Sequence, residues 1–310
     1  MHRPPRQRRL RRLCGTLLAL ACVPAVGVGA RAGTVGFNGG RAFEDLKRLV
    51  AFGPRPVGSK ALAESREWIK RRLQQTGARV EEDSFEASTP LGNLPMVNVI
   101  AKFPGARPQV VMIAGHYDTL RRDDFTFVGA NDGASSAAFL LEMARVLGQR
   151  RNLLTYWLVF FDGEEALRQW SDSDSRYGSR HLVQKLSASG ELGRIQAMIL
   201  VDMIADAQLG IRRDMNSTRW LRDLIFDCAR RMGYEKYFLA NSTAIDDDHI
   251  PFINAGVSAV DLIDLEYGPG NSYWHTASDT VDHCSPLSLT IVGRVVLSAL
   301  DELEKASHLR

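Results

Sequence analysis

One apolar stretch that ends in acid constrains this chain more than any other feature. Residues 155–161, Thr-Tyr-Trp-Leu-Val-Phe-Phe, show no polar alternation after the threonine. Such a run predicts a central strand that is covered on both faces of an α/β sheet. A turn at Asp162-Gly163 follows, and then Glu164 and Glu165 at the sheet edge where open α/β folds bind ligands. By themselves, the two glutamates could also be solvated acids at a helix N-terminus, where the helix dipole favours negative charge. Residues at the other strand ends are needed to distinguish this from a ligand site.

The rest of the chain alternates between apolar strands and amphipathic helices. This alternation predicts a single α/β domain whose central, mostly parallel mixed sheet is covered by helices on both faces, and 310 residues suffice for one such domain. The predicted strands are 79–85, 95–103, 109–114, 155–161, 195–201 and 258–263. The predicted helices are 41–52, 59–76, 135–147, 177–186, 217–232 and 286–305.

The basic character of the chain is confined to its beginning. The formal charge is +3, but the first thirty residues hold six arginines and no acid. Without those six, the 39 basic residues fall to 33 against 36 acidic ones, which is a net charge of −3. Nucleic-acid binding depends on a basic surface, and the body of the chain gives it no support.

The first thirty residues resemble an export signal. Their arginine-rich head precedes an uncharged run, 13–30, which contains Pro24 and several glycines and is therefore a poor membrane span. We expect residues 1–30 to be the signal and 31–310 the mature domain, which is periplasmic or secreted. Lipid anchoring at Cys22 is the less favoured alternative, and a twin-arginine route stays open. Cys228 and Cys284 could pair outside the cytoplasm or remain separate thiols.

Other strand ends carry residues that bind metals. Because the carboxyl ends of parallel strands share one edge of a sheet, we expect these side chains to meet there. Two histidines with several carboxylates suit Zn²⁺, which in catalytic sites takes three protein ligands and leaves one position open. Asp132 by itself could be a simple N-cap of the helix that follows, but the set as a whole predicts a metal site. Its members are His116, Asp118, Asp132, Glu165, Asp202 and His275.

The same segments resemble the glutaminyl cyclases, exported zinc-dependent enzymes within the zinc aminopeptidase superfamily. In the aminopeptidases the paired glutamates are soon followed by a Gly-Leu-x-Gly-Ser motif, whereas twelve residues, including Trp170, separate Glu165 from Gly178 here. This longer loop is similar to that of the cyclases. The resemblance runs from about residue 41 to the C-terminus and rests on residues 115–118, 129–132, 160–165, 169–171, 177–181, 247–252 and 274–276.

The resemblance implies a role for each site residue. Asp132, Glu165 and His275 would bind the catalytic zinc. Glu164 would be the acid/base, with Asp202 and Asp247 as its hydrogen-bonded supports, and Trp170 and Trp274 would be walls of the substrate pocket. In dinuclear aminopeptidases the equivalents of His116 and Asp202 hold a second zinc. Two ions are thus an alternative to the single ion that the likeness to cyclases favours.

The implied reaction converts the N-terminal glutamine of a peptide to pyroglutamate with release of ammonia. Zinc suits the polarisation of a carbonyl, and a nearby carboxylate suits proton transfer. The expected partners are peptide or protein N-termini, and we expect a monomer. The alternative function is an exported zinc aminopeptidase that hydrolyses N-terminal residues. The pocket also departs from the animal enzymes, because residues 261–264 replace a stretch where those carry a histidine.

The leader gives a first testable prediction. N-terminal sequencing of native material recovered outside the cytoplasm should begin near Arg31, because the basic head and the short apolar run are typical of a cleaved signal. A mature chain that began at Met1 or His2 would contradict this.

Overall fold

A six-stranded mixed sheet lies at the centre of the protein. The computed structural model describes residues 1–2 and 36–308, so residues 3–30 of the predicted leader fall outside the described residues. Residues 36–308 belong to one compact unit. In chain order the strands of the sheet are β1 (Arg79–Thr89), β2 (Gly92–Phe103), β3 (Val110–His116), β4 (Thr155–Phe161), β5 (Ile195–Asp202) and, after a separate pair, β8 (Ala259–Ile263).

The strand order is β1-β2-β4-β3-β5-β8. The first two strands form an antiparallel hairpin, and β2 is antiparallel to β4. The pairs β4 with β3, β3 with β5 and β5 with β8 are all parallel. The predicted mostly parallel mixed sheet is confirmed, and β3, β4 and β5 all end at the same edge.

Helices cover both faces of the sheet, as the sequence predicts. Strand β4 shows the division, since Tyr156, Leu158 and Phe160 enter one core cluster, while its alternate residues Trp157 and Phe161 enter a second cluster on the opposite face. Continuous apolar sequence is needed because neither face of the strand meets water. The helices are α1 (Gly39–Val50), α2 (Lys60–Gln74), α3 (Ala134–Gln149), α4 (Tyr177–Ser189), α5 (Arg219–Arg231), α6 (His249–Asn254) and α7 (Pro286–His308).

The structure adds elements that the sequence pattern did not predict. Strands β6 (Ile211–Asp214) and β7 (Phe238–Thr243) form a separate parallel pair, and α6 is a short helix of six residues. Strand β1 continues to Thr89, beyond its predicted end at 85. None of the helices within the described residues is long and apolar enough to span a membrane. Both cysteines in this part of the chain are buried free thiols, so the pairing alternative is not realised.

A buried arginine, Arg55, links several segments of the chain through hydrogen bonds to their backbone. Arg55 is fully buried, and its guanidinium donates hydrogen bonds to the carbonyl oxygens of Leu49 (3.1 Å), Val128 (3.0 Å) and Gly129 (3.2 Å). Its backbone NH donates to Thr119 Oγ1 at 2.9 Å. Burial lowers the pKa of Arg55 to about 10, although nearby carboxylates oppose the shift. The group therefore stays charged at neutral pH and fixes the segment that leads to Asp132.

We predict that Arg55→Met lowers the free energy of unfolding by about 3 kcal/mol or more, because several buried carbonyl groups lose their donor. Urea denaturation measures this loss. The exposed Arg71 is the control, since Arg71→Ala should change stability by no more than about 0.5 kcal/mol. A loss below about 1 kcal/mol for Arg55→Met would contradict the structural role given to this arginine.

Candidate metal and active site

The carboxyl ends of three adjacent strands bring the acidic residues together. His116 is the last residue of β3 and Asp202 the last of β5, while Glu164 and Glu165 follow β4 after the turn at Gly163. The β3–β4 and β3–β5 pairs are parallel, so the three ends meet. His116 Nε2 lies 3.1 Å from Asp202 Oδ1. The convergence expected from the sequence is therefore present.

Asp132 enters the same place from the loop before α3. Its backbone NH and that of Asn131 donate to the carboxylate of Asp279, at 3.1 Å and 2.8 Å. The next residue, Gly133, has a φ of 90°, and a Cβ there would lie 2.3 Å from the carbonyl oxygen of Asp118. Glycine is thus required for the chain to turn into α3 this close to β3.

Asp132 is shared between two groups of potential ligands. Its Oδ1 lies 3.2 Å from His116 Nε2, and its Oδ2 lies 3.2 Å from His275 Nε2. His275 Nε2 is also 3.5 Å from Glu165 Oε2. Two triads result, which we call the inner triad (His116, Asp132, Asp202) and the outer triad (Asp132, Glu165, His275).

The outer triad fits a zinc ion better than the inner one. Asp132 Oδ2 and Glu165 Oε1 are buried and have no hydrogen-bond partner among the described residues. In the inner triad, by contrast, the imidazole of His116 is hydrogen-bonded to Asp202 at 3.1 Å. One imidazole with two carboxylates is a donor set that Zn²⁺ accepts. Buried oxygens without partners are costly, and a cation would satisfy them.

A second buried aspartate holds the two glutamates in place. Asp118 accepts hydrogen bonds from the backbone NH of Glu164 (3.2 Å) and of Glu165 (3.4 Å), and its Oδ1 lies 3.5 Å from His116 Nδ1. Asp118 thus fixes the backbone from which both glutamate side chains project. It also orients the imidazole ring of His116, which is a potential metal ligand.

The environment perturbs the carboxyl groups in opposite directions. Burial raises the pKa of Glu164 well above its usual range, opposed by His116 and reinforced by Asp247. Burial and the charge of Asp132 likewise raise the pKa of Glu165. Burial alone would raise the pKa of Asp132, but the imidazoles of His116 and His275, each with Nε2 3.2 Å from one of its oxygens, overcome this effect and lower the pKa. The positive groups of the described residues therefore stabilise the ionised form of Asp132 but not that of Glu164 or Glu165.

A cavity of about 440 Å³ opens directly over these groups. Both tryptophans that were expected in its wall line it. Trp170 Nε1 donates to Asp246 Oδ2 at 3.1 Å, and the Trp274 ring stacks on the His275 ring with centroids 4.2 Å apart. The other residues that line the cavity include Glu164, Glu165, Asp132, Asp202, Asp247, Ile263, Leu265, Arg122 and Arg168.

Asp202 and Asp247 reach the cavity, but their contacts differ from those expected. Among the described residues, the side chain of Glu164 forms no hydrogen bond with either aspartate. Asp202 contacts His116 instead. Asp247 acts on Glu164 through its charge, and burial raises its own pKa to about 6. The expected hydrogen-bonded supports thus lie near Glu164 but are not bonded to it.

Two framework residues were missed from sequence. Asp279 holds the amides at Asn131 and Asp132, and Asp174 accepts three backbone amides in the loop that carries Trp170. The sequence indicates Asp279 only weakly. Asp279 lies four residues after His275 of the Trp-His-Thr segment, but the amides that it holds lie almost 150 positions earlier in the chain.

Comparison with known proteins first defines the class. Residues 98–300 match Peptidase family M28. A Zn-dependent exopeptidase from Parabacteroides distasonis has a similar structure, with a TM-score of 0.78, 25% identity and coverage of 86% of this chain and 99% of that one. The zinc chemistry that the outer triad fits is thus found among structural relatives.

Closer relatives narrow the assignment. A glutaminyl-peptide cyclotransferase-like protein from Bos taurus is 34% identical, over 80% of this chain and 72% of its own. A glutaminyl-peptide cyclotransferase from Gloydius blomhoffii is 32% identical, over 80% and 76%. The glutaminyl cyclase of an Acidobacteriales bacterium has a TM-score of 0.86 and 42% identity, over 89% of this chain and 98% of that one. The chain belongs to peptidase family M28 and, within it, to the glutaminyl-peptide cyclotransferases.

Asp118 offers a test of how the site is positioned. Asn has one acceptor oxygen where Asp has two, so Asp118→Asn leaves the NH of Glu164 or Glu165 without a partner. We predict that activity falls about 10- to 100-fold while the thermal unfolding transition is kept. Asp227→Asn, on the exposed side of α5, is the matched control and should be fully active. Unchanged activity in Asp118→Asn would show that the glutamates are positioned by other contacts.

Proposed function

We propose that this enzyme converts the N-terminal glutamine of peptides or proteins to pyroglutamate, with release of ammonia, at one zinc ion held by Asp132, Glu165 and His275. The single observation that carries the proposal is the outer triad beside Glu164, at the base of a cavity with tryptophan walls. The relatives named glutaminyl-peptide cyclotransferase support the substrate and the reaction.

The residues of the chain divide the work of the reaction. When bound, zinc would supply a Lewis acid for the γ-carbonyl of the substrate glutamine. Glu164, the buried carboxyl without a role in the outer triad, takes a proton from the attacking α-amine and returns it to the departing ammonia. A carboxyl group whose pKa is raised by burial suits both transfers.

Orientation supplies much of the rate. The α-amine and the γ-carbonyl belong to one residue, and their reaction closes a five-membered ring, so the enzyme mainly has to hold the chain folded upon itself. Trp170, fixed by Asp246, and Trp274, stacked on His275, form flat walls that hold the glutamine side chain and exclude water. Excluding water also suppresses hydrolysis, which would give a different product.

Export and a monomeric state remain part of this proposal. The basic head and uncharged run in the first thirty residues support a mature enzyme that is periplasmic or secreted, where peptide N-termini are available.

A zinc aminopeptidase is the second candidate. Asp132 is placed between the inner and outer triads, as a residue that bridged two ions would be, and a structure described as a leucine aminopeptidase precursor from Bacteroides thetaiotaomicron has a TM-score of 0.77 at 25% identity. Such an enzyme would release the intact first residue rather than ammonia.

The product decides between the two. Incubated with a Gln-initiated peptide, the purified enzyme should yield a product that is lighter by about 17 mass units, the mass of the ammonia expelled by ring closure. Mass spectrometry should find every residue retained, and a Leu-initiated peptide should be unchanged. Loss of the first residue from both peptides would refute cyclisation and establish the aminopeptidase.

Glu164→Gln tests the proton transfer separately from metal binding. Glutamine keeps the shape and removes the ionisable group, so turnover should fall on the order of 10²- to 10⁴-fold, while zinc measured by atomic absorption stays at the level of the parent protein. His275→Ala is the matched variant, in which zinc and activity should be lost together. Loss of zinc in Glu164→Gln would make this glutamate a ligand.

A further inference from the structure

Arg168 is a charged group of the cavity wall that the proposed reaction leaves without a task. Outside the acidic centre, three charged side chains line the cavity, namely Arg122, Arg168 and Asp246. The guanidinium of Arg122 forms a two-point ion pair with Asp124 at 2.9 and 2.7 Å. Asp246 is paired with the buried Arg176. Two of these three charges are thus neutralised by the protein.

Arg168 has no carboxylate partner among the described residues. The ion pairs formed within residues 36–308 do not include Arg168, and its side chain is exposed. Arginine presents a planar fork of donors that matches a carboxylate, so the wall offers an open anion contact beside an otherwise acidic cavity.

The loop that carries Arg168 is held in one conformation. The carboxylate of Asp174 accepts hydrogen bonds from the backbone NH groups of Leu167, Arg168 and Gln169, each at 2.9 Å. Tyr177 Oη donates to Asp174 Oδ1 at 2.8 Å. Because the backbone at Arg168 is fixed before a ligand arrives, a contact to its side chain costs less ordering of the protein.

Chain length limits how far Arg168 can lie from the reacting glutamine. It follows Glu165 by three residues, so the two Cα atoms are separated by no more than about 11 Å. An extended peptide advances about 3.3 to 3.6 Å per residue. Because Arg168 lines the same cavity as Glu165, a substrate whose glutamine reaches Glu165 brings its second residue within the span of the long Arg168 side chain.

We propose that Arg168 is a specificity-determining residue that binds a carboxylate on the second residue of the substrate. This proposal rests on the cyclase function proposed above. The carboxylate has two sources, the side chain of an acidic second residue and the free C-terminus of a glutaminyl dipeptide. Apart from Arg168, the charged groups of the cavity are the acidic centre and the already paired Arg122 and Asp246, so without Arg168 the acidic centre would repel either carboxylate.

The experiment compares kcat/KM for matched peptides. Gln-Glu-amide against Gln-Gln-amide tests the side-chain carboxylate at nearly constant shape, and Gln-Ala as the free acid against Gln-Ala-amide tests the main-chain carboxylate. For an exposed ion pair we expect the parent enzyme to prefer the carboxylate in at least one comparison by about fivefold. The comparison that shows the preference identifies the source.

Substitution then assigns the preference to one residue. In Arg168→Ala the ratio should fall to about one, and Arg168→Glu should favour Gln-Lys-amide over Gln-Glu-amide, because the sign of the contact is reversed. The matched control is Arg151→Ala, an exposed arginine just before β4 and thus at the opposite end of that strand. It should keep the ratio of the parent enzyme.

The outcomes separate this proposal from the function on which it rests. If the parent enzyme releases ammonia from every peptide and both kcat/KM ratios are near one, the role of Arg168 is overturned and the cyclase function stands. The same holds if a preference for the carboxylate survives in Arg168→Ala. Absence of ammonia from all four peptides would overturn both. A fivefold preference that is lost in Arg168→Ala and kept in Arg151→Ala would establish the contact.

Discussion

The repulsion among buried carboxylates is the constraint on which the rest of this structure depends. Asp132, Glu164, Glu165, Asp202 and Asp247 all lie buried at one edge of the sheet. Charges removed from water cost several kcal/mol each unless they are paired. His116, His275 and the fully buried Arg55 supply part of the compensation, and the atoms without partners, Asp132 Oδ2 and Glu165 Oε1, are those that a cation would satisfy.

Residues outside the cavity hold this arrangement. Asp118 fixes the glutamate backbone, Asp279 fixes the loop of Asp132, and Arg55 ties that loop to the segment before α2. Each does so through backbone NH or carbonyl groups of the loops that carry the site residues. Glu164 and Glu165 lie at the start of the connection from β4 to α4, and Trp170 and Arg168 lie further along the same connection, where Asp174 holds the backbone.

The hydrophobic pattern was sufficient to predict the fold and the place of the site. Continuous apolar sequence in β4 required a strand covered on both faces, and acids at the ends of parallel strands had to meet. The contacts of Asp279 and Arg55 could not be read in the same way, because their partners lie far away in sequence and are backbone groups, which leave no pattern of residue types. The sequence pattern did not predict the pair β6 and β7, because β6 has only four residues, which is too short to show a clear hydrophobic period. Cys228 and Cys284 left their pairing open, and only the structure shows two free thiols.

The proposed function requires one cation in the acidic centre, bound by the outer triad. Crystals of the purified enzyme, measured on both sides of the zinc absorption edge, test it directly through an anomalous difference map. We predict one peak, in contact with Asp132, Glu165 and His275, and none between His116 and Asp202. A peak confined to the inner triad, or two peaks that share Asp132, would contradict it.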